Sequence, residues 1–456
     1  MACNMLDSML YRNSYSNPTM REIFDDKTII QNMLDIEAAL ADVEGELGMI
    51  PAEAAEEIIK KCKLEYMDIP HIEQGIIKMG HSLVPILHEI KDVCENNYGE
   101  YVHIGATTQD IIDTAFMMSI KRGLEVIYQD MLDIEQLMID IAEKHKDTIM
   151  AGRSHTQQAL PVTFGYKMAN WASENHRNIQ RMQACMDRCL VGSMFGAVGT
   201  MAGFGDKGFE VSSKTIEKLG LKVPDCAWHT SRDRIAEICN TLLMMAYTYG
   251  SIGNELAKLQ MTEIAEVAEG FVKGSVGSST MPHKRNPNTL ESLSMLARLI
   301  KGEAGASIES MFCEHERDGS RWKVEWKAAN ETVILAGSSA ARMKKVLSGL
   351  TVDPERMKQN LNILKGLMQS EPIMLALGEK IGNQTAHHVV YEVCMKTFEQ
   401  RADFCEMLLK DETVAKYMTR EEIEHILDPS GYTGLSSQIV DQVVANIRKD
   451  RESYVK

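Results

Sequence analysis

Two long apolar rhythms constrain this chain more than any other feature. Ile120, Leu124, Ile127, Met131, Ile134, Met138 and Ile141 recur at alternating steps of four and three; Ile235, Ile238, Leu242, Met245, Tyr249, Ile252, Leu256 and Leu259 do the same. That spacing draws one apolar stripe along one side of an α-helix. Sustained over several turns, it is the seam of a coiled-coil-like bundle. A stripe this long is core or subunit interface rather than a cofactor site. Few stretches alternate apolar and polar residues with period two, so no large sheet is expected. The chain is predicted to be all-α.

A shorter stripe, Met33, Ile36, Leu40, Val43 and Leu47, is closed by Gly48 and Pro51. Loop-forming residues over 96–105 separate it from the first long helix. Past Gly349, the run Val352, Asp353, Pro354 marks another break, with shorter helical patterns beyond. Three parts are expected: a small helical domain over 1–105, a long central bundle over 106–351, and a small C-terminal helical domain over 352–456. At 456 residues the chain exceeds one minimal core, which agrees with two or three domains.

Apolar content of 44% and charged content of 25% describe an ordinary soluble globular protein. A net charge of -16 argues against a nucleic-acid binder, which presents a concentrated basic face. It leaves anionic small substrates open, because a local basic cluster outweighs the global sign. No basic segment followed by a sustained apolar one opens the chain, so no secretory signal is expected. No apolar run has the length of a membrane span. Ten cysteines are scattered without a CxxC pair. Cys185 and Cys189 fall one helical turn apart and would suit a shared metal. The simpler reading is two small half-buried helix residues, since no histidine or cysteine partner has matching spacing. No metal is therefore expected, and a reducing cytoplasm is the natural compartment. The 31 methionines read as adaptable core filler.

Three separated segments look like site material. Residues 103–114 (HIGATTQDIIDT) set Thr107 and Thr108 at the entrance to a helix, where they would cap it or hydrogen-bond a carboxylate. Residues 152–161 (GRSHTQQALP) place His155 in a polar loop between helical patterns. Residues 274–287 (GSVGSSTMPHKRNP) join a glycine-rich loop to paired serines, a lysine and an asparagine. Such a loop moves and then packs closely on a ligand. Pro287 opens a helical pattern whose first N–H groups favour an anion nearby.

These segments, in this order, resemble the conserved regions of the fumarase/aspartase superfamily, and the resemblance extends over nearly the whole chain. It implies an all-helical, three-domain fold with a long central helical bundle. It also implies a homotetramer whose active sites combine the three segments from three subunits. The implied chemistry removes a proton beside a carboxylate, giving a dianionic aci-carboxylate. A group on the adjacent carbon then leaves, usually yielding fumarate. By resemblance Ser278 is the base, with Ser279 its rival. A serine hydroxyl is too weak an acid to ionise unaided and must be activated by fixed donors when the loop closes. Lys284 and Asn286 would bind the carboxylate, with an advantage that grows as charge moves onto it. Thr107 and Thr108 would hold it from another subunit. His155 matches the family histidine that pairs with a glutamate, here Glu291, which also suits the first turn of a helix on dipole grounds alone.

Within the superfamily, two branches compete: adenylosuccinate lyase and 3-carboxy-cis,cis-muconate cycloisomerase. Residues 15–21 (YSNPTMR) resemble both. Adenylosuccinate lyases begin that motif with an arginine for the nucleotide phosphate; here Ser14 stands there. Their second histidine, a general acid, is Gln158 here, and a later phosphate-binding arginine is replaced by Pro372. His81 does fit the lyase pattern. Residues 228–237 (WHTSRDRIAE), 314–317 (EHER), Trp322, Glu325 and Trp326 look more like the cycloisomerase, whose addition to a double bond needs no acid. The expected function is β-elimination from an N- or O-substituted succinate, with cycloisomerisation as the alternative. Lens crystallins show that this fold also serves as a non-catalytic structural protein, but here the loop keeps its serine, lysine and asparagine. No cofactor is implied, because neither a dinucleotide fingerprint nor a metal-ligand cluster is visible.

Overall fold

The apolar stripes become helices in the computed structural model, which describes residues 4–271, 274 and 278–454. Ser275, Val276 and Gly277 of the glycine-rich loop lie outside the described residues, as do Met1–Cys3 of the N-terminal stretch read for a signal. The longest elements are α1 (Asp26–Glu46), α2 (Thr108–Lys144), α3 (Phe164–Cys189), α4 (Asp233–Leu259), α5 (Asn288–Glu309), α6 (Gly319–Gly349) and α7 (Ser436–Tyr454). Every residue of the second stripe is buried, and in the first only Ile141 is partly exposed. Among the described residues, strands are confined to two small antiparallel ladders. β1 (Ile149–Ser154) pairs with β2 (Gln157–Thr163), and β3 (Val267–Ala268) with β4 (Thr351–Val352). The fold is all-α, as the periodicity predicts.

Contacts divide the chain into two compact units. The first comprises Met1–Leu132, Asn178–Ser251 and Ser292–Met343. In it α1 starts on Asp25, whose side chain accepts from the Lys27 amide, and stops before Gly48 in the left-handed region (φ 64°). Asn32, buried on α1, donates to the Ala115 carbonyl (3.0 Å) and the Ser119 hydroxyl (2.9 Å), fixing α1 against α2. The centre of this unit is charged. Arg232 donates to Asp113 on α2 (2.7 and 3.2 Å) and to Glu325 on α6 (2.8 Å). Its guanidinium lies 4.5 Å over the Trp228 ring, and Trp322 Nε1 donates to Asp113 (2.6 Å). Burial works against the Arg232 charge, yet the two carboxylates raise its pKa; burial raises that of Glu325.

A second buried acid pair lies on α1. Glu37 holds His103 Nδ1 at 2.7 Å, while both Glu44 carboxyl oxygens are buried without a hydrogen-bond partner. Burial, then the Glu37 charge, pushes the Glu44 carboxyl up to about 8. The folded state thus binds this proton more tightly than the unfolded chain does. Stability is lost as pH rises from the ordinary carboxyl range through about 8. Glu44→Gln is therefore expected to flatten the fall of the thermal midpoint between pH 5 and pH 9. An unchanged pH profile would refute that assignment.

The second unit comprises Asp133–Arg177, Ile252–Glu291 and Lys344–Lys456. Ile373, Leu377, Val390, Phe404 and Ile423 form a core among its C-terminal helices. The β1–β2 hairpin packs on the helix Pro354–Leu361, where Ala151 meets Leu361. α7 is fastened by Arg451, which donates to the fully buried Glu135 (2.6 Å), and Glu135 also meets His176 Nδ1 (2.8 Å).

Candidate active site

In the first unit the threonine segment enters α2 through a loop locked by one carboxylate. Asp110 is fully buried and accepts from Ser193 Oγ (2.8 Å) and the amides of Phe195 (2.9 Å), Gly196 (2.8 Å) and Thr107 (3.1 Å). His229 Nε2 lies 3.2 Å from the same carboxylate. Thr107 does not cap the helix with its hydroxyl; the cap runs the other way, from the Thr107 amide to Asp110. The Thr107 oxygen instead accepts from Arg317 (3.0 Å), whose same nitrogen donates to the Ala197 carbonyl (2.9 Å). A hydroxyl that accepts from a guanidinium keeps its own proton free to donate.

His81 arranges Thr108 in the same sense. Its Nδ1 accepts from the amides of Leu83 (3.3 Å) and Val84 (3.1 Å), opening the helix Val84–Val93. The proton therefore resides on Nε2, which lies 3.4 Å from Thr108 Oγ1. Two adjacent hydroxyls thus keep protons to donate, which suits an anionic acceptor such as a carboxylate.

In the second unit, His155 and Thr156 form the two-residue turn joining β1 to β2, with φ of 49° and 67°. Positive φ at both central positions is the hairpin turn that favours Asn-Gly. A β-branched threonine there costs about 1–2 kcal/mol. The strained turn holds His155 exposed at the hairpin tip. Below it the hairpin is rigidly anchored: Arg153 grips the fully buried Glu266 at both oxygens (2.9 and 2.7 Å), and Asn360 donates to that carboxylate (2.8 Å). Gln158 donates to the Asn360 carbonyl (2.9 Å), so its amide nitrogen is used inside the chain.

Beyond the glycines, Ser278 is half-buried, and its oxygen accepts from the amides of Met281 (3.1 Å) and Thr280 (3.4 Å). Ser279 is exposed. Lys284 and Asn286 line a cleft of about 1120 Å³ together with Gln260, Glu269, Phe271 and Lys345. The amides that open α5 are not left for a ligand. Glu269 accepts from Leu290 (3.1 Å) and Thr289 (3.4 Å), so the chain's own carboxylate supplies the anion that this helix terminus favours.

The structure thus joins His81 to Thr108 in one unit and sets Lys284 and Asn286 in one cleft of the other. His155 and Glu291, both exposed, are not hydrogen-bonded to each other within the chain. Asp110, Ser193 and Arg317 are functional candidates that sequence reasoning missed. Asp110 and Arg317 lie inside segments that carried the family resemblance, whereas nothing local marks Ser193.

Comparison with known proteins agrees with this picture. The family described as Lyase matches residues 12–302, and that described as Adenylosuccinate lyase C-terminus matches residues 366–443. An N-acetyl-S-(2-succino)cysteine lyase of Dickeya dadantii is 39% identical, with 97% of this chain and 98% of that protein covered. An adenylosuccinate lyase of Methanocaldococcus jannaschii is 38% identical over 96% of this chain and 95% of its own. The solved 3-carboxy-cis,cis-muconate lactonizing enzyme of Pseudomonas putida superposes with a TM-score of 0.91 at 32% identity, covering 97% of this chain and 99% of that one. Likeness of that depth from end to end identifies the chain as an enzyme of the fumarase/aspartase superfamily, in the branch of the adenylosuccinate lyases and muconate lactonizing enzymes.

Proposed function

We propose that the chain eliminates fumarate from a succinate substituted by a thiol, of the N-acetyl-S-(2-succino)cysteine class. Gln158 carries this reading. It stands where adenylosuccinate lyases place an acid, it has no proton to give, and its amide already donates to Asn360. An amine cannot leave unprotonated at neutral pH. A thiol, with a pKa of about 8.5, leaves as the thiolate without help. The sequence alone points to nitrogen or oxygen as the leaving atom; the Dickeya relative extends the choice to sulfur.

Ser278 takes the proton beside the carboxylate, the electron pair moves onto that carboxylate, and the C–S bond then breaks. The two amides on the Ser278 oxygen favour its ionised form. The hydroxyls of Thr107 and Thr108, with Lys284 and Asn286, hold the carboxylate as it becomes dianionic. Arg317, anchored on Thr107, adds positive charge beside them. His155, paired with Glu291, orients the substrate and tunes proton transfer. These groups meet in a homotetramer with shared sites. Exposed Met244, Tyr247 and Leu299 on the long helices and the solvent-facing His155 support that assembly. Three parts (1–105, 106–351 and 352–456), a cytoplasmic location suited to its free thiols, and no nucleic-acid partner complete the proposal. Among the described residues, no helix is long and apolar enough to cross a membrane.

His155→Asn is expected to lower kcat by about 10²–10⁴. A change confined to KM would reduce His155 to a binding role. The function itself is tested with N-acetyl-S-(2-succino)cysteine, adenylosuccinate and 3-carboxy-cis,cis-muconate, following fumarate, free thiol and lactone. Preferred release of thiol and fumarate supports the proposal, and preference for adenylosuccinate refutes it. Lactone alone would establish the cycloisomerase. That reading also dispenses with an acid at Gln158 and is favoured by the structural match to the lactonizing enzyme.

A further inference from the structure

Cys189 closes α3, and Cys185 lies one turn before it; both are buried. In the sequence the pair lacks a third ligand. The fold supplies one from α4: Glu237 Oε2 lies 3.3 Å from Cys189 Sγ, and the two sulfurs are 3.9 Å apart. One donor atom from each residue falls within 4.8 Å of the others. Around a tetrahedral Zn²⁺ with Zn–S of about 2.3 Å and Zn–O of about 2.1 Å, neighbouring ligand atoms are roughly 3.6–3.8 Å apart. The observed separations fall on either side of that range, so small side-chain shifts suffice.

Charge and hydrogen bonding fit the same occupant. Arg188 donates through Nε to Glu237 Oε1 (3.2 Å) and Oε2 (3.4 Å), which fixes the carboxylate with Oε2 beside the Cys189 sulfur. Two thiolates and one carboxylate balance a divalent cation plus Arg188.

We propose that Cys185, Cys189 and Glu237 bind a thiophilic divalent cation of the Zn²⁺ type, with water as fourth ligand, clamping α3 to α4. The position gives the clamp a consequence for the candidate active site. Residues 190–196 leave Cys189 directly and deliver Ser193, Phe195 and Gly196 to Asp110. His229, which also meets Asp110, lies just ahead of α4. The cation would therefore steady two of the segments that position the threonine loop.

The test uses the full-length protein, stripped of metal under reducing conditions and titrated with Co²⁺. One equivalent per chain is expected to give a sulfur-to-cobalt charge-transfer absorption that Zn²⁺ displaces. That absorption should disappear in Cys189→Ser, weaken at least tenfold in apparent affinity in Glu237→Gln, and persist in Cys226→Ser, which alters an exposed thiol. A variant-free arm maps alkylation by mass spectrometry. Zn²⁺ should slow modification of Cys185 and Cys189 at least tenfold and leave that of Cys94 and Cys405 unchanged. Absence of the absorption in the parent protein, its persistence in Cys189→Ser, or equal alkylation with and without Zn²⁺ would each overturn the proposal.

Discussion

Ser278→Ala is expected to reduce turnover by about 10³-fold or more, equivalent to roughly 4 kcal/mol at the transition state. The proposed tetramer and the helix content should stay as they are. Ser278 Oγ accepts from two backbone amides, and fixed donors of this kind lower the cost of negative charge on the oxygen that takes the proton. Alanine removes the proposed base but leaves the amides in place, so substrate affinity should change little while kcat collapses. Ser279→Ala is the matched control, because its side chain is exposed one residue away. Steady-state kinetics and size-exclusion chromatography on both variants decide the matter. Loss of activity in Ser279→Ala, with Ser278→Ala active, would transfer the role to the second serine.

The largest expected loss of stability comes from Arg232→Leu. Arg232 is 2% exposed and holds Asp113 and Glu325, so leucine would strand two buried carboxylates with no cation between them. Breaking a buried charge pair from one side costs about 3–5 kcal/mol, mostly because the abandoned charge cannot reach water. Adding Glu325→Gln should recover part of that loss by removing one of the stranded charges. Denaturant unfolding of the single and double variants measures both effects. A loss under about 1 kcal/mol in the single variant would mean that water already reaches this centre.

The same network explains what the sequence could reveal and what it could not. Trp228, Arg232, Trp322 and Glu325 suggested a branch of the superfamily, yet in the structure they pack on one another as scaffold. Likeness at those positions therefore reports packing more than substrate choice. The long helices were legible because a stripe such as Ile235 to Leu259 states its periodicity within one segment. The hairpin was not: residues 149–163 do not alternate cleanly, and His155 and Thr156 replace the Asn-Gly that would announce the turn. Thr107, Thr108 and Ser278 were visible through resemblance. Their supports were hidden because those supports come from afar. Asp110 is held by Ser193 and Gly196, 83 and 86 residues away, and the α5 terminus is satisfied by Glu269, 20 and 21 residues upstream. No local pattern encodes such meetings.

The His155–Thr156 turn also bears on how this enzyme would respond to laboratory evolution. Its backbone angles suit glycine, so a library selected only for survival at high temperature should enrich glycine at position 156. A library selected for catalytic output should tolerate that exchange only if His155 keeps its aim on a more pliable tip. Sequencing the two pools side by side would show whether this turn trades durability for speed.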